Sequence, residues 1–153
     1  SGRRIHETPV GEWDDVMNVN LRGAFLVMRR AIALMLQSGG GAIVNTAAIG
    51  GLPPSLGTTP YSITKAAMIM MSRQAALEYA RDNIRVNAVC PGTTLTPMLA
   101  GGGADLIAKK EAITPIGKLA LPEEVSELMC FLLSDAAPSM TGGVHTIAGG
   151  REA

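Results

Sequence analysis

The segment Tyr61-Ser62-Ile63-Thr64-Lys65 holds the residues of this chain whose types and spacing best suit acid–base chemistry. Residues four apart on a helix lie on the same face, so a helical segment would make Tyr61 and Lys65 neighbours. A phenol has a pKa of about 10 and exchanges protons poorly near neutral pH. A nearby ammonium group favours the phenolate and lowers that pKa. The pair is therefore suited to interconverting an alcohol and a carbonyl, although a tyrosine packed beside a solvated lysine also has this spacing.

The elements that must position this pair alternate between helices and strands. Some segments have apolar residues every three to four positions, which is typical of helices, and others are short apolar runs, which are typical of buried strands. The predicted elements are helix 11–37, strand 42–47, helix 60–81, strand 84–90, helix 122–133 and strand 144–147. This alternation predicts the α/β class, with a parallel sheet covered on both faces.

The helix that would carry Tyr61 and Lys65 is apolar on nearly every side. Thr59 is its expected N-cap, and Pro60 is its expected first residue, because a missing N–H costs nothing there. A helix without a solvated face is buried on two sides. We therefore expect one side to pack on the sheet and the other to meet a second subunit.

Three segments are predicted as loops. Residues 1–10 read as a loop entered in mid-domain, and residues 48–59 are rich in Gly, Pro and Thr. Residues 93–120 form a long loop after Pro91-Gly92, with a triple-glycine hinge and a short helix near 104–112.

The composition excludes several classes of function. A chain of 153 residues, 47% hydrophobic and 17% charged, is expected to form one globular domain. Zero net charge and 3% aromatic residues argue against nucleic acid as a partner. Cys90 and Cys130 lack metal-ligand spacing, so we predict no metal site and a reducing compartment. No apolar run is long enough for a membrane span and the N-terminus is polar, so we expect a cytoplasmic protein.

Further segments resemble, in their order along the chain, the second half of short-chain dehydrogenases/reductases. The sequence around Asn18–Gly23 resembles a helix with an active-site Asn, and Gly41–Asn45 resembles the strand before a catalytic Ser. The other matches are Tyr61 with Lys65, Ile84–Val89, Pro91-Gly92 with Thr96, Pro122–Val125, Ser134-Asp135, Thr141-Gly142 and Gly149-Gly150. The resemblance implies that residues 1–153 are one partial domain, the C-terminal half of a Rossmann-like, doubly wound parallel sheet, with three strands and flanking helices.

The resemblance also implies an oxidoreductase that moves hydride between NAD or NADP and a small alcohol or carbonyl substrate. Tyr61 would be the general acid/base, Lys65 would lower its pKa and bind the nicotinamide ribose, and Asn20 would hold a relay water. The implied cofactor-binding residues are Tyr61, Lys65, Pro91, Gly92, Thr94 and Thr96. Residues 97–120 would form a substrate lid. Two structural alternatives to these roles stay open: Asn20 as an exposed residue in the middle of a helix, and Thr96 as a residue that caps a turn.

The position of the family's catalytic Ser, thirteen residues before the Tyr, is Ala48. Losing one such donor typically costs on the order of 100- to 1,000-fold in turnover. Thr46 would point to the same face of a strand as Ala48. The other hydroxyls that could replace the missing donor are on Ser55, Thr58 and Thr59.

The Gly-rich strand–turn–helix that receives a pyrophosphate is also missing, and the triple glycines at 39–41 and 101–103 lack the context to replace it. The chain therefore resembles a fragment with an exposed strand edge. Two alternatives to an active oxidoreductase remain: a non-catalytic homologue, or a truncated fragment that acts only in binding or oligomerisation. We expect a homodimer or homotetramer formed through the helices at 11–37 and 60–81.

Overall fold

A computed structural model of the protein describes residues 2–151. The helices are α1 (Val10–Val16), α2 (Gly23–Ser38), α3 (Thr59–Tyr79), α4 (Pro97–Ala100), α5 (Ala104–Ala112) and α6 (Pro122–Leu133), and the strands are β1 (Gly41–Thr46), β2 (Ile84–Pro91) and β3 (Val144–Ile147). The strands form one parallel sheet in the order β1-β2-β3. The predicted α/β class with three parallel strands is confirmed.

Strand β2 forms the centre of the sheet, and its side chains alternate between two helical layers. Ile84, Val86, Ala88 and Cys90 pack with residues of α2 and α3. Val89 points to the other face and packs with residues of α6. This alternation is the two-residue period of a strand covered on both faces.

The predicted helix at 11–37 is a helical run from Val10 to Ser38 that contains one irregular turn. Residues Met17–Arg22 between α1 and α2 are π-helical, and the Gly23 N–H donates to the Asn18 carbonyl, five residues earlier. Gly39 ends the run with φ at 86°, a left-handed conformation that glycine adopts without steric cost.

Helix α3 begins at Thr59, so the prediction of Thr59 as the N-cap is wrong by one residue. The preceding Thr58 is the cap position, and its carbonyl accepts the Ser62 N–H at 2.8 Å. One face of α3 is buried against the sheet and α2, including Met68 and Ala75. The opposite face is exposed, with 59% of Met70 and 78% of Leu77 open to solvent.

The long loop after β2 contains α5 as expected and also α4, which the sequence analysis missed. Helix α6 begins at Pro122, and Glu124 Oε2 accepts the Leu121 N–H at 2.7 Å. This hydrogen bond, together with Lys118 at 3.0 Å, lowers the pKa of the Glu124 carboxyl. Within residues 2–151, β1 pairs only with β2, and its outer edge meets no strand.

Candidate active site

The three strands end at the same edge of the sheet, at Thr46, Pro91 and Ile147. Loops that follow parallel strands form ligand sites at this edge in open α/β sheets. A cavity of about 430 Å³ opens there. Its walls are Ala48, Ile49, Gly50, Pro53, Pro54, Ser55, Thr58, Tyr61, Pro91, Gly92, Thr93, Lys110 and Arg151.

Helix α3 places Tyr61 and Lys65 next to each other, as their spacing predicts. The Lys65 Nζ lies 5.7 Å from the centre of the Tyr61 ring. It also donates a 2.9 Å hydrogen bond to the Thr46 carbonyl at the end of β1. Tyr61 lines the cavity and is 42% exposed, so its phenol is open to a ligand.

The pKa of Tyr61 differs from the expectation. Burial raises the pKa of Tyr61, because desolvation disfavours the phenolate. Burial also lowers the pKa of Lys65, and the nearby Cys90 opposes that change. Desolvation thus sets the net direction of the Tyr61 pKa in this structure, and the lowering by the Lys65 charge stays a prediction.

Ala48 follows β1 and is buried, with 8% of its surface exposed. It lines the cavity together with Tyr61, so the position that lacks a hydroxyl faces the same space as the phenol. Ser55 and Thr58 also line this cavity, whereas Thr46 and Thr59 are not among its described walls. The Thr58 hydroxyl contacts the Ser55 carbonyl at 2.9 Å and the Ser62 hydroxyl at 2.8 Å.

Asn20 lies in the π-helical turn and is half-buried against α3. Its amide donates to the Thr64 hydroxyl at 3.3 Å. Thr64 is fully buried and donates to the Tyr61 carbonyl at 2.7 Å. Asn20 is thus connected to the main chain of the tyrosine through one hydroxyl, and its role with a relay water remains a prediction.

The segment after β2 brings the remaining predicted cofactor residues to the same edge of the sheet. A Cβ added at Gly92 would lie 2.7 Å from the Ala148 Cβ, so this position requires glycine. The Thr94 hydroxyl donates to the Gly92 carbonyl at 3.3 Å. The Thr96 hydroxyl accepts the Leu99 N–H at 3.4 Å and caps α4. This is the capping role that the sequence analysis gave as the alternative to cofactor binding.

Sequence reasoning assigned no individual role to the two charged residues of the cavity wall, Lys110 on α5 and Arg151 after β3. The Arg151 Nη1 donates to the Thr93 hydroxyl at 3.1 Å. Gly149 and Gly150 precede it with φ at 62° and 86°, a left-handed turn that suits glycine. No local motif marks either cation, because the fold alone brings them to the strand ends.

Among residues 2–151, no group of three His, Cys, Asp or Glu side chains is arranged to hold a metal ion. In the same range, no helix combines the length and apolarity needed to cross a membrane.

Comparison with known protein families identifies the class of this fold and site. The model described as enoyl-(acyl carrier protein) reductase, a short-chain dehydrogenase/reductase model, matches residues 1–152. The chain therefore belongs to the short-chain dehydrogenase/reductase family.

Individual relatives agree with this assignment. The chain is 42% identical to a cis-4-hydroxycyclohexanecarboxylate dehydrogenase of Sinomonas cyclohexanicum, over 95% of the chain and 59% of that protein. It is 39% identical to an inactive 2-(S)-hydroxypropyl-CoM dehydrogenase of Xanthobacter autotrophicus, over 97% of the chain and 67% of that protein. A 3-oxoacyl-[acyl-carrier protein] reductase from Brucella melitensis with bound NAD has a TM-score of 0.90 at 32% identity, covering 99% of the chain and 56% of that structure. The chain spans 56–67% of these three proteins.

The expected nicotinamide cofactor agrees with the NAD in that neighbour, and the residues of this chain fit such a group. Within residues 2–151, the main-chain N–H groups of Thr93 and Thr94 donate no hydrogen bond, which leaves donors for a carboxamide at the cavity edge. The Lys65 ammonium has three donor hydrogens, and its one acceptor among these residues is the Thr46 carbonyl. Two donors thus remain for ribose hydroxyls.

Proposed function

We propose that this chain is the catalytic half of an NAD- or NADP-dependent oxidoreductase that interconverts an alcohol and a carbonyl compound. The observation that carries the proposal is the convergence of Tyr61, Ala48 and Pro91-Gly92 on one cavity, with Lys65 beside the phenol. The family membership and the names of the relatives support it.

Tyr61 is the group that moves the proton. In the oxidation direction, its phenolate accepts the hydroxyl proton while the carbinol carbon loses a hydride, and in reduction its phenol returns that proton to the carbonyl oxygen. The bound cofactor supplies or accepts the hydride. Lys65 stabilises the phenolate and binds the ribose, and Asn20 holds a water of the proton relay.

Ala48 cannot donate a hydrogen bond to the substrate oxygen. Ser55 and Thr58 are the hydroxyl-bearing residues that line the same cavity. In this proposal, one of them partly replaces the missing donor, and turnover is slower than with a serine at position 48.

The proposed substrate is a small secondary alcohol or ketone. A volume of about 430 Å³ falls in the range of small-molecule sites. The Sinomonas relative is named for a ring alcohol, so cyclohexanol and cyclohexanone are the first compounds to test. Residues 97–120, which include α4 and α5, would form the lid over this space.

The test is a turnover assay on the complete protein as its gene encodes it. Cyclohexanol is supplied with NAD and, separately, with NADP, and formation of the reduced cofactor is followed. Tyr61→Phe is expected to lower the turnover rate at least about 100-fold, because the general acid/base is lost. Tyr79→Phe is the matched control, since Tyr79 packs against the core away from the cavity. Equal activity of Tyr61→Phe and Tyr79→Phe would contradict the proposal.

A non-catalytic homologue is the second candidate. Ala48 favours it, and so does the identity of 39% with a relative named as inactive. The variant Ala48→Ser separates the two candidates. A gain in turnover on the order of 100-fold would show an enzyme limited by the missing donor, whereas no turnover before and after the change would favour a binding protein.

We also propose a homodimer or homotetramer formed through α2 and α3. Val27 on α2 and Leu77 on α3 are 72% and 78% exposed, and such apolar faces mark interaction surfaces. Leu77→Lys is expected to lower the molar mass measured by light scattering, while Arg73→Lys on the same helix leaves it unchanged. The cytoplasmic location stays a prediction.

A further inference from the structure

We propose that the substrate carries a carboxylate group, and that Lys110 and Arg151 bind it in the active-site cavity. This inference rests on the proposed function, because it names the substrate class of the same site. It starts from the two cations that the motifs of the family do not include.

Lys110 and Arg151 reach the cavity from separate parts of the fold. Lys110 is half-buried on α5, within the proposed lid, and Arg151 follows β3. The Thr93 hydroxyl holds one guanidinium nitrogen at 3.1 Å, beside the Pro91-Gly92 segment. The arginine is therefore oriented on the same wall as the proposed nicotinamide position.

Neither cation has an acidic partner within residues 2–151, and none of the described cavity walls is Asp or Glu. Two other cations do have acidic partners: Lys118 lies 3.0 Å from Glu124, and Arg3 contacts Glu12. Two cations that share one cavity without a carboxylate repel each other, and an anionic ligand removes that cost.

A carboxylate suits this pair better than a neutral polar group. A guanidinium group presents two parallel N–H donors that match the two oxygens of a carboxylate, and a lysine adds a point charge. The remaining walls include Ile49, Pro53 and Pro54, which can contact an apolar ring or chain. The site thus fits a hydroxy or oxo acid whose reacting carbon is next to Tyr61.

A phosphate of the cofactor is the other anion that these cations could meet. The experiment separates the two sources because it measures binding of a carboxylate and binding of the cofactor independently. The probes are cyclohexanecarboxylate and cyclohexanecarboxamide, which have nearly the same shape and differ in charge. Neither carries a hydroxyl group to oxidise, so the measurement does not depend on turnover.

Dissociation constants are measured by calorimetry on the complete protein as its gene encodes it, with and without NAD. We expect the carboxylate to bind at least about tenfold more tightly than the amide. Lys110→Gln and Arg151→Gln are each expected to weaken carboxylate binding about tenfold and to leave amide binding unchanged, which also shows that the variants fold. Lys109→Gln, on the neighbouring exposed position of α5, and Arg81→Gln, in the turn after α3, are the matched controls and should bind like the unaltered protein.

Equal affinity for the two probes would overturn the inference. Weaker NAD binding in Lys110→Gln and Arg151→Gln, with carboxylate binding unchanged, would also overturn it and assign the cations to the cofactor. A carboxylate preference in a protein that turns over no alcohol would support the inference while the proposed function fails. Turnover of cyclohexanol by a protein that binds the carboxylate and the amide equally well would support the proposed function and overturn the inference.

Discussion

The ammonium group of Lys65 donates a 2.9 Å hydrogen bond to the carbonyl oxygen of Thr46, the last residue of β1. This bond joins the helix that carries the proposed acid/base to the end of the strand that leads to Ala48. Lys65 is thus hydrogen-bonded to the end of β1, and its Nζ also lies 5.7 Å from the ring centre of Tyr61.

Replacing Lys65 should affect turnover much more than folding. Lys65→Met removes the positive charge beside Tyr61 and the donors proposed for the ribose. We expect kcat for alcohol oxidation to fall at least about 100-fold, with a higher KM for the cofactor. Steady-state kinetics on the complete protein measure both. Lys109→Met, an exposed lysine on α5, is the control, and a similar loss in that variant would contradict the role of Lys65.

The raised pKa of Tyr61 predicts opposite pH dependences for the two directions of the reaction. Oxidation requires the phenolate, so kcat/KM should rise with pH up to the raised pKa, by about tenfold per pH unit below it. Reduction requires the phenol, so kcat/KM for the carbonyl substrate should be retained at neutral pH and should fall above the pKa of Tyr61. Removing the Lys65 charge should move the pH profiles of both directions to higher pH. A profile that is flat from neutral to alkaline pH would rule out Tyr61 as the titrating group.

The hydroxyls of Ser55 and Thr58 should matter more here than in an enzyme with a serine at position 48. We expect Ser55→Ala or Thr58→Val to lower kcat about tenfold or more if that hydroxyl contacts the substrate oxygen, a smaller effect than for a fully aligned donor. The same change in an Ala48→Ser background should have little effect, since the serine then supplies the hydrogen bond. Additive losses in both backgrounds would show that these hydroxyls only support the loop, where the Thr58 hydroxyl contacts the Ser55 carbonyl and the Ser62 hydroxyl.

Gly92 should be the least replaceable glycine of the cavity wall. A methyl group there would lie 2.7 Å from the Ala148 Cβ and 2.8 Å from its Cα, so the main chain after β3 must shift. We expect Gly92→Ala to lower the free energy of unfolding by about 1–3 kcal/mol. Gly11→Ala on α1 meets no atom within 4 Å and should be neutral or slightly stabilising. Urea unfolding of both variants provides the comparison.

Much of the fold follows from local patterns. The alternation along β2 and the spacing of apolar residues in α3 and α6 place each element within one or two residues, because burial on a given face sets those periods. Helix α4 is different. It has four residues and begins after the Thr96 cap, which is too short for any periodic signal.

The site is only partly visible in the sequence. Tyr61, Ala48 and Pro91-Gly92 lie on one cavity, as the motifs predict, because each follows or faces the carboxyl end of a strand. The spacing of Tyr61 and Lys65 did not predict that burial raises the Tyr61 pKa, since a spacing rule cannot weigh desolvation against a charge. Lys110 and Arg151 are 41 positions apart (110 and 151), and only the packing of α5 and the turn after β3 brings both to the cavity.

The π-helical turn at Met17–Arg22 contains one residue more than an α-helix of the same span would, because its hydrogen bonds reach five residues back. Deleting a single residue here, such as Val19, would restore a regular helix and leave α1 and α2 in nearly the same relative rotation, because the wider turn accommodates the extra residue locally. The change would be confined to the turn that carries Asn20, whose amide donates to the Thr64 hydroxyl. In a sequence alignment, such a change is a one-residue gap inside a helix with every motif intact. Relatives with that gap would therefore keep both flanking helices in place and differ only in the turn around Asn20.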